Sequence, residues 1–140
     1  MLILGYSAWP AIFCGAFPVN VTTAGSLATA AGIAVGNTLE GLVIAVLAKG
    51  FARGAKAFDR SEDTVTFTLV AMIGTVVSPT IGVGSLLLGG YANWENVGFV
   101  WLTWWLGDMA GALIVTPLLV LWSVDSRVHW SRLKVLKPPC

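Results

Sequence analysis

The stretch Trp101-Leu-Thr-Trp104-Trp105-Leu-Gly107-Asp108-Met-Ala-Gly111-Ala-Leu-Ile-Val-Thr116-Pro117 decides the fold class, because it sets a carboxylate inside an apolar run from about Val97 to Trp122. A bilayer crossing takes about 20 residues, so this run is long enough to span one. The three tryptophans and Asp108 are spaced i, i+3, i+4 and i+7, so on a helix they share one face. We therefore predict a transmembrane helix that carries an acid on its aromatic face.

The composition of the whole chain is typical of a membrane protein. Of its 140 residues, 56% are hydrophobic and 11% are charged, and the mean hydropathy is +0.82. A soluble domain carries about 25% charged residues. The length and composition predict a single short membrane domain with the lipid bilayer as its surroundings and no appended catalytic domain.

No pattern in the chain indicates catalysis. The sequence contains no nucleophile beside a base, no phosphate-binding loop and no cluster with metal-ligand spacing. Two cysteines, Cys14 and Cys140, make neither a disulfide framework nor a metal site. We expect no enzymatic activity, no cofactor, no metal and no nucleic-acid partner.

The apolar segments predict an all-α polytopic bundle with about four crossings. The segments are Met1 to about Val19, about Leu27 to Lys49, about Thr64 to Leu88, and Val97 to Trp122. The first is short for a crossing, and the third is interrupted by Ser78-Pro79. Polar stretches at Asn20–Ser26 and Gly89–Asn96 are expected to be connecting loops. The predicted domains are a membrane domain, 1–122, and a basic cytoplasmic tail, 123–140.

The basic residues predict the orientation. Four of the eight Lys and Arg residues lie between Lys49 and Arg60, and the other four follow Trp122. Four crossings place both segments on one side, which the positive-inside rule assigns to the cytoplasm. Both termini are then cytoplasmic, and we expect a multi-pass protein of a bacterial inner membrane.

A second acid, Glu40, is expected at about the depth of Asp108. Counting inward at about 1.5 Å per residue, Asp108 lies about 16 Å deep, and Asn37 and Glu40 lie about 17–22 Å deep. We expect the two carboxyl groups to approach each other and one of them to stay protonated. An acid inside a membrane favours a functional role. The alternative is a structural role as a hydrogen-bonding link between helices.

The candidate residues form two sets. The candidates for ligand binding or switching are Asn37, Glu40, Trp104, Trp105 and Asp108. The candidates for helix packing are the two Gly-x-x-x-Gly seams, Gly32 with Gly36 and Gly107 with Gly111, with homodimer contact as the alternative. Trp101, near the outer interface, is expected to belong to an aromatic belt.

Four stretches in order resemble the first type of membrane-associated sensor (MASE) domain. They are Trp9-Pro-Ala-Ile-Phe-Cys-Gly-Ala-Phe-Pro-Val-Asn20, Ala34-Val-Gly-Asn37-Thr-Leu-Glu40-Gly41, Ile81-Gly-Val-Gly-Ser-Leu86, and the stretch from Trp101 to Leu119. The resemblance implies an integral-membrane sensory module of bacterial signalling proteins. Such modules precede histidine kinase, diguanylate cyclase or phosphodiesterase domains. It places Asn37, Glu40, Trp104, Trp105, Gly107, Asp108 and Pro117 on motif positions without assigning them roles.

The resemblance also implies a larger domain of about eight crossings, so the chain is expected to be a truncated front half without its output. We therefore expect a sensory input module for a small ligand or partner protein, with a cytoplasmic signalling domain or a second copy as partner. One alternative is a small transporter or substrate-binding subunit that uses Glu40 and Asp108. The other is a degenerate remnant. No residue identifies the ligand, the output domain or the oligomeric state.

Overall fold

The computed structural model describes residues 1, 4–23, 25–52 and 60–135, with side chains described as far as Trp122, and over these residues all regular structure is helical. A 3₁₀ turn, Tyr6–Ala8, precedes five α-helices: α1 (Trp9–Thr23), α2 (Leu27–Phe51), α3 (Ser61–Gly74), α4 (Val77–Leu88) and α5 (Val97–Val135). Three stretches are long and apolar enough to cross a membrane: Leu27–Phe51, Ser61–Leu88 and Val97–Trp122. The predicted all-α membrane fold is confirmed. Helix α1, with 15 residues, is shorter than a crossing.

Helix α1 is placed later along the chain than the sequence predicts. It begins at Trp9, next to Pro10, because a proline in the first helical turn gives up no hydrogen bond. It runs through Asn20 to Thr23, so the predicted Asn20–Ser26 loop is too long. The Asn20 amide donates to the Ala16 carbonyl at 2.8 Å. Polar side chains that bond the preceding turn thus remain helical, and sequence polarity alone misplaces the helix end.

The crossing Ser61–Leu88 is broken in two at Thr75–Val76. The cause is Pro79, which has no N–H and whose ring excludes the carbonyl four residues earlier. At the break the Val76 N–H bonds to the Ile73 carbonyl, three residues back, at 3.3 Å. The carbonyl of Met72, four residues back, therefore lacks its usual helical donor. The predicted interruption exists, and it lies just before Pro79.

Helix α2 is the centre of the bundle, with α1, α3 and α4 packed around it. The seam of Gly32 and Gly36 faces α4. A Cβ added to Gly36 would lie 3.2 Å from the Ile81 Cβ, and one added to Gly32 would overlap the Ser85 hydroxyl. Glycine lets the two helix backbones approach closely at this seam. At the other end of α2, Phe67 of α3 is buried against Ala48.

Helix α5 packs mainly on α4 and α3, and much of its surface faces outward. Only 6% of its apolar window is buried, against 44% for the Ser61–Leu88 crossing. A Cβ added to Gly107 or Gly111 would have no neighbour within 4 Å. The structure therefore shows no close helix contact at this second seam within the described part of the chain. The helix continues past Trp122 to Val135, and residues 136–140 of the predicted tail lie outside the described residues.

The connections between helices identify the two ends of the bundle. At one end the Tyr91 hydroxyl donates to the Gly25 carbonyl at 3.1 Å, which joins the α1–α2 and α4–α5 connections. At the other end the Lys49 ammonium lies 3.7 Å from the centre of the Tyr6 ring. The last residues of α2, the first residues of α3 and the C-terminal part of α5 belong to this second end. Of the predicted basic loop, residues 53–59 lie outside the described residues.

Candidate functional site

The carboxyl groups of Glu40 on α2 and Asp108 on α5 lie within hydrogen-bonding reach of each other, as their similar depths predict. One oxygen of each, Glu40 Oε2 and Asp108 Oδ2, is buried without a hydrogen-bond partner. A buried acceptor that lacks a donor costs about 1–3 kcal/mol. The pair is therefore the least satisfied polar contact among the described side chains.

Ser78, in the first turn of α4, supplies donors to the acid pair. Its hydroxyl donates to the Asn37 Oδ1 at 2.6 Å and also faces the Asp108 carboxyl. Because a hydroxyl has one proton to donate, it serves one of these two acceptors at a time. The backbone N–H of Ser78 faces the Glu40 carboxyl. First-turn N–H groups have no partner inside their helix and form the positive end of its dipole, so they favour a carboxylate.

Ser78 is a site residue that the sequence analysis missed. It is buried, with 1% of its surface exposed, and it connects α4 with both α2 and α5. In the sequence, Ser78-Pro79 indicates only an interruption of the crossing. The available signal was a hydroxyl beside a helix-breaking proline in the middle of a crossing, where freed backbone donors also become available.

The tryptophans of α5 contact different partners. The Trp104 indole faces the Asp108 carboxyl, and its ring packs so closely on α4 that a Cβ added to Gly82 would lie 2.5 Å from the ring. The Trp105 indole instead donates to the Met72 carbonyl at 3.2 Å, the group left without a helical donor at the break. The Trp104 indole thus contacts the acid pair, whereas the Trp105 indole supplies a donor at the helix break.

Trp101 also contacts the bundle. Its indole donates to the Thr80 hydroxyl at 3.1 Å, and its ring stacks on Trp105 with the ring centres 6.1 Å apart. The predicted aromatic face therefore forms the polar and aromatic contact surface between α5 and the broken crossing.

An open groove of about 430 Å³ lies beside the acid pair, between α1 and α5 and over α2. Several of its lining residues are glycines and alanines, whose small side chains leave the groove open, and its polar groups come from Glu40, Asp108 and Thr116. The lining residues are Met1, Ile12, Glu40, Gly41, Ile44, Ala45, Gly107, Asp108, Gly111, Ala112, Val115 and Thr116. Gly107 and Gly111 thus border this space.

The site offers two carboxyl groups, a hydroxyl, an amide and an indole N–H. Such groups can exchange a proton or bind hydrogen-bond donors of a ligand. Among the residues that the structure describes, no group of three or more His, Cys, Asp or Glu side chains is placed to hold a metal ion.

Comparison with known proteins gives one match. The family model MASE1 matches residues 1–137, which include all five helices and every residue of the acid pair's surroundings. The chain matches no curated protein and no solved structure.

Proposed function

Since the chain belongs to the MASE1 family of membrane-associated sensory domains, we propose that it is a signal-input module that senses a small ligand or partner protein among its helices. A helix movement would pass the signal to a cytoplasmic histidine kinase or cyclic-di-GMP enzyme domain. The observation that carries this proposal is the meeting of three helices at Glu40, Ser78 and Asp108.

The packing of α5 supports its role as the moving helix. It carries Asp108, contacts the bundle mainly through its aromatic face, and continues beyond the apolar window to Val135. A change in the hydrogen bonds of Asp108 would therefore shift α5 against the rest of the bundle. Small helix displacements of this kind are a known way to carry a signal.

The proposal includes a location and an orientation. We place the chain in the bacterial inner membrane as a multi-pass protein, with the end that holds Lys49 and Arg60 in the cytoplasm. The C-terminal part of α5 belongs to the same end, which suits an output domain there. The chain itself has no catalytic role in this proposal.

A fusion experiment tests the signalling role. The 140-residue chain is joined at its C-terminus to a diguanylate cyclase domain, and cyclic-di-GMP is measured in cells that express the fusion. Asp108→Asn and Glu40→Gln should each change the output several-fold, because they alter the contact between α2 and α5. The control Glu62→Gln, at the exposed start of α3, should leave it unchanged.

Equal output from the unaltered fusion, both acid variants and the control, at equal protein level, would contradict the proposal. The acid pair would then have no influence on the output, and its role would be confined to holding helices together.

The broken crossing also favours a second candidate function, transport. In transporters, interrupted helices present first-turn N–H groups to ions or substrates near the middle of the membrane, as Ser78 does here to Glu40. Vesicles that contain the purified chain and an entrapped pH-sensitive dye would test proton-coupled transport. Potential-driven acidification that is lost on changing both acids to amides would favour transport over sensing.

A further inference from the structure

We infer that Glu40 and Asp108 form a proton-binding site, in which one shared proton joins α2 to α5. The two carboxyl groups face each other, and each has a buried oxygen without a donor. A carboxylate can only accept hydrogen bonds, whereas a protonated carboxyl can also donate one. A single proton between the two groups therefore satisfies both unpartnered oxygens at once.

The neighbouring donors do not replace this proton. The N–H and hydroxyl of Ser78 and the indole of Trp104 surround the pair, yet Glu40 Oε2 and Asp108 Oδ2 stay without a partner. The Ser78 hydroxyl is also engaged by the Asn37 oxygen at 2.6 Å. The supply of donors at the site thus falls short of the acceptors that the two carboxyl groups present.

Charged groups on the surrounding elements do not neutralise the pair either. The amino terminus of Met1, which borders the same groove, lies near Lys49, and the Lys49 ammonium lies over the Tyr6 ring. The charged residues of α3 lie in its first turn and at its N-terminal boundary, at the far end from Ser78. No cation among the described side chains contacts either carboxyl group. Two carboxylates that share such a site cannot both ionise easily.

The shared proton ties α5 to the centre of the bundle. Glu40 belongs to α2, which packs closely on α1, α3 and α4, whereas α5 packs mainly on α4 and α3. Loss of the proton would leave two like charges in contact and drive α5 away from α2. Because the assembled pair holds the proton and the separated groups release it, the contact should weaken as the pH rises.

Infrared spectroscopy of the full chain in lipid vesicles tests the site. At neutral pH we expect the carbonyl absorption of one protonated carboxylic acid per chain, and at high pH we expect its loss. In Asp108→Asn and in Glu40→Gln the new amide donates to the remaining carboxylate, so the acid absorption should disappear. The control Glu62→Gln should keep it.

The absence of an acid absorption at neutral pH in the unaltered chain would overturn the inference, and this result needs no variant to fold. An absorption that both amide variants leave unchanged would overturn it as well.

A second measurement addresses the link to α5. The melting temperature of the unaltered chain should fall as the pH rises, and that of Asp108→Asn should fall less; equal slopes would mean that the proton does not hold α5.

This proton site stands whether or not the chain signals, because it is measured on the chain alone. If the acid variants change the output of the cyclase fusion but the infrared spectrum of the chain shows no protonated acid, only the proton inference is wrong. If the spectrum shows the protonated acid but the acid variants leave the output of the fusion unchanged, only the proposed sensory role is wrong.

Discussion

At the scale of single residues, the polar cluster depends on Ser78 because this one residue offers donors to two other helices. Its hydroxyl serves Asn37 or Asp108, and its N–H serves Glu40. The break before Pro79 places this N–H in a first helical turn, where no carbonyl of the same helix competes for it. The serine and the broken backbone therefore act together.

We expect Ser78→Ala to lower the free energy of unfolding by about 0.5–1.5 kcal/mol, because it removes the donor to the part-buried Asn37 oxygen. Denaturant titration in detergent micelles would measure this loss. The matched control is Thr66→Ala, which removes a hydroxyl that bonds only to the Glu62 carbonyl of its own helix. A loss from Thr66→Ala as large as that from Ser78→Ala would refute the assigned role.

Trp105→Phe should destabilise the bundle by about 0.6–2 kcal/mol, the range for a hydrogen bond between membrane helices. The substitution keeps an aromatic ring but removes the donor that reaches the Met72 carbonyl. The comparison is Trp94→Phe, since 81% of the Trp94 surface is exposed. Thermal unfolding that ranks the two variants equally would show that the indole bond adds nothing.

At the scale of helices, close approach is set by glycines on particular faces. Gly32 and Gly36 bring α2 against α4, and Gly82 accepts the ring of Trp104 from α5. Gly107 and Gly111 have the same spacing as the first seam, yet they border the groove. The Gly-x-x-x-Gly spacing predicts a helix face without side chains. Whether another helix packs on that face depends on how the helices are arranged in the fold.

Gly82 and Gly84 provide a matched test on one helix. Gly82→Ala should cost about 1–3 kcal/mol of stability, because the added methyl group would overlap the Trp104 ring. Gly84→Ala meets no atom within 4 Å and should be neutral or slightly stabilising, since alanine favours helix over glycine. Unfolding curves of the two purified variants would measure this difference in stability. Equal destabilisation would show that α5 does not pack on Gly82.

The sequence was sufficient for those features that follow from counting along a helix. Hydropathy located the three long crossings, and the rise per residue placed Glu40 and Asp108 at one depth, where they meet. Features that depend on alternative hydrogen bonds were not predictable in this way. Asn20 stays helical by bonding the Ala16 carbonyl, and Ser78 gains its role from the side chains of α2 and α5 that meet it at the break.

At the scale of the whole molecule, charge and topology agree on two unlike ends. The end joined by Tyr91 and Gly25 carries no Lys or Arg in either connection, whereas Lys49 and Arg60 flank the connection at the opposite end. From this asymmetry the positive-inside rule predicts that the end with Lys49 and Arg60 faces the cytoplasm. This orientation is a property of the chain as a whole, since no single helix fixes it.

Reporter fusions should show this orientation directly. Fusions after Arg60 and after Lys137 are expected to give a cytoplasmic signal, and a fusion at Asn93 a periplasmic signal. The readouts are alkaline phosphatase activity and fluorescence of a cytoplasmic reporter. A periplasmic signal at Arg60 would overturn the proposed arrangement of crossings.

The break at Thr75–Val76 also imposes an order on biosynthesis. The crossing that contains Met72 leaves the ribosome before Trp105, which follows 33 residues later and supplies the donor for the Met72 carbonyl. During that interval the nearest substitute is the Thr75 hydroxyl, 3.3 Å from the same carbonyl. That hydroxyl has one proton and also reaches the Ala71 carbonyl, at 2.8 Å, so the Met72 carbonyl gains a donor of its own only when the last crossing inserts.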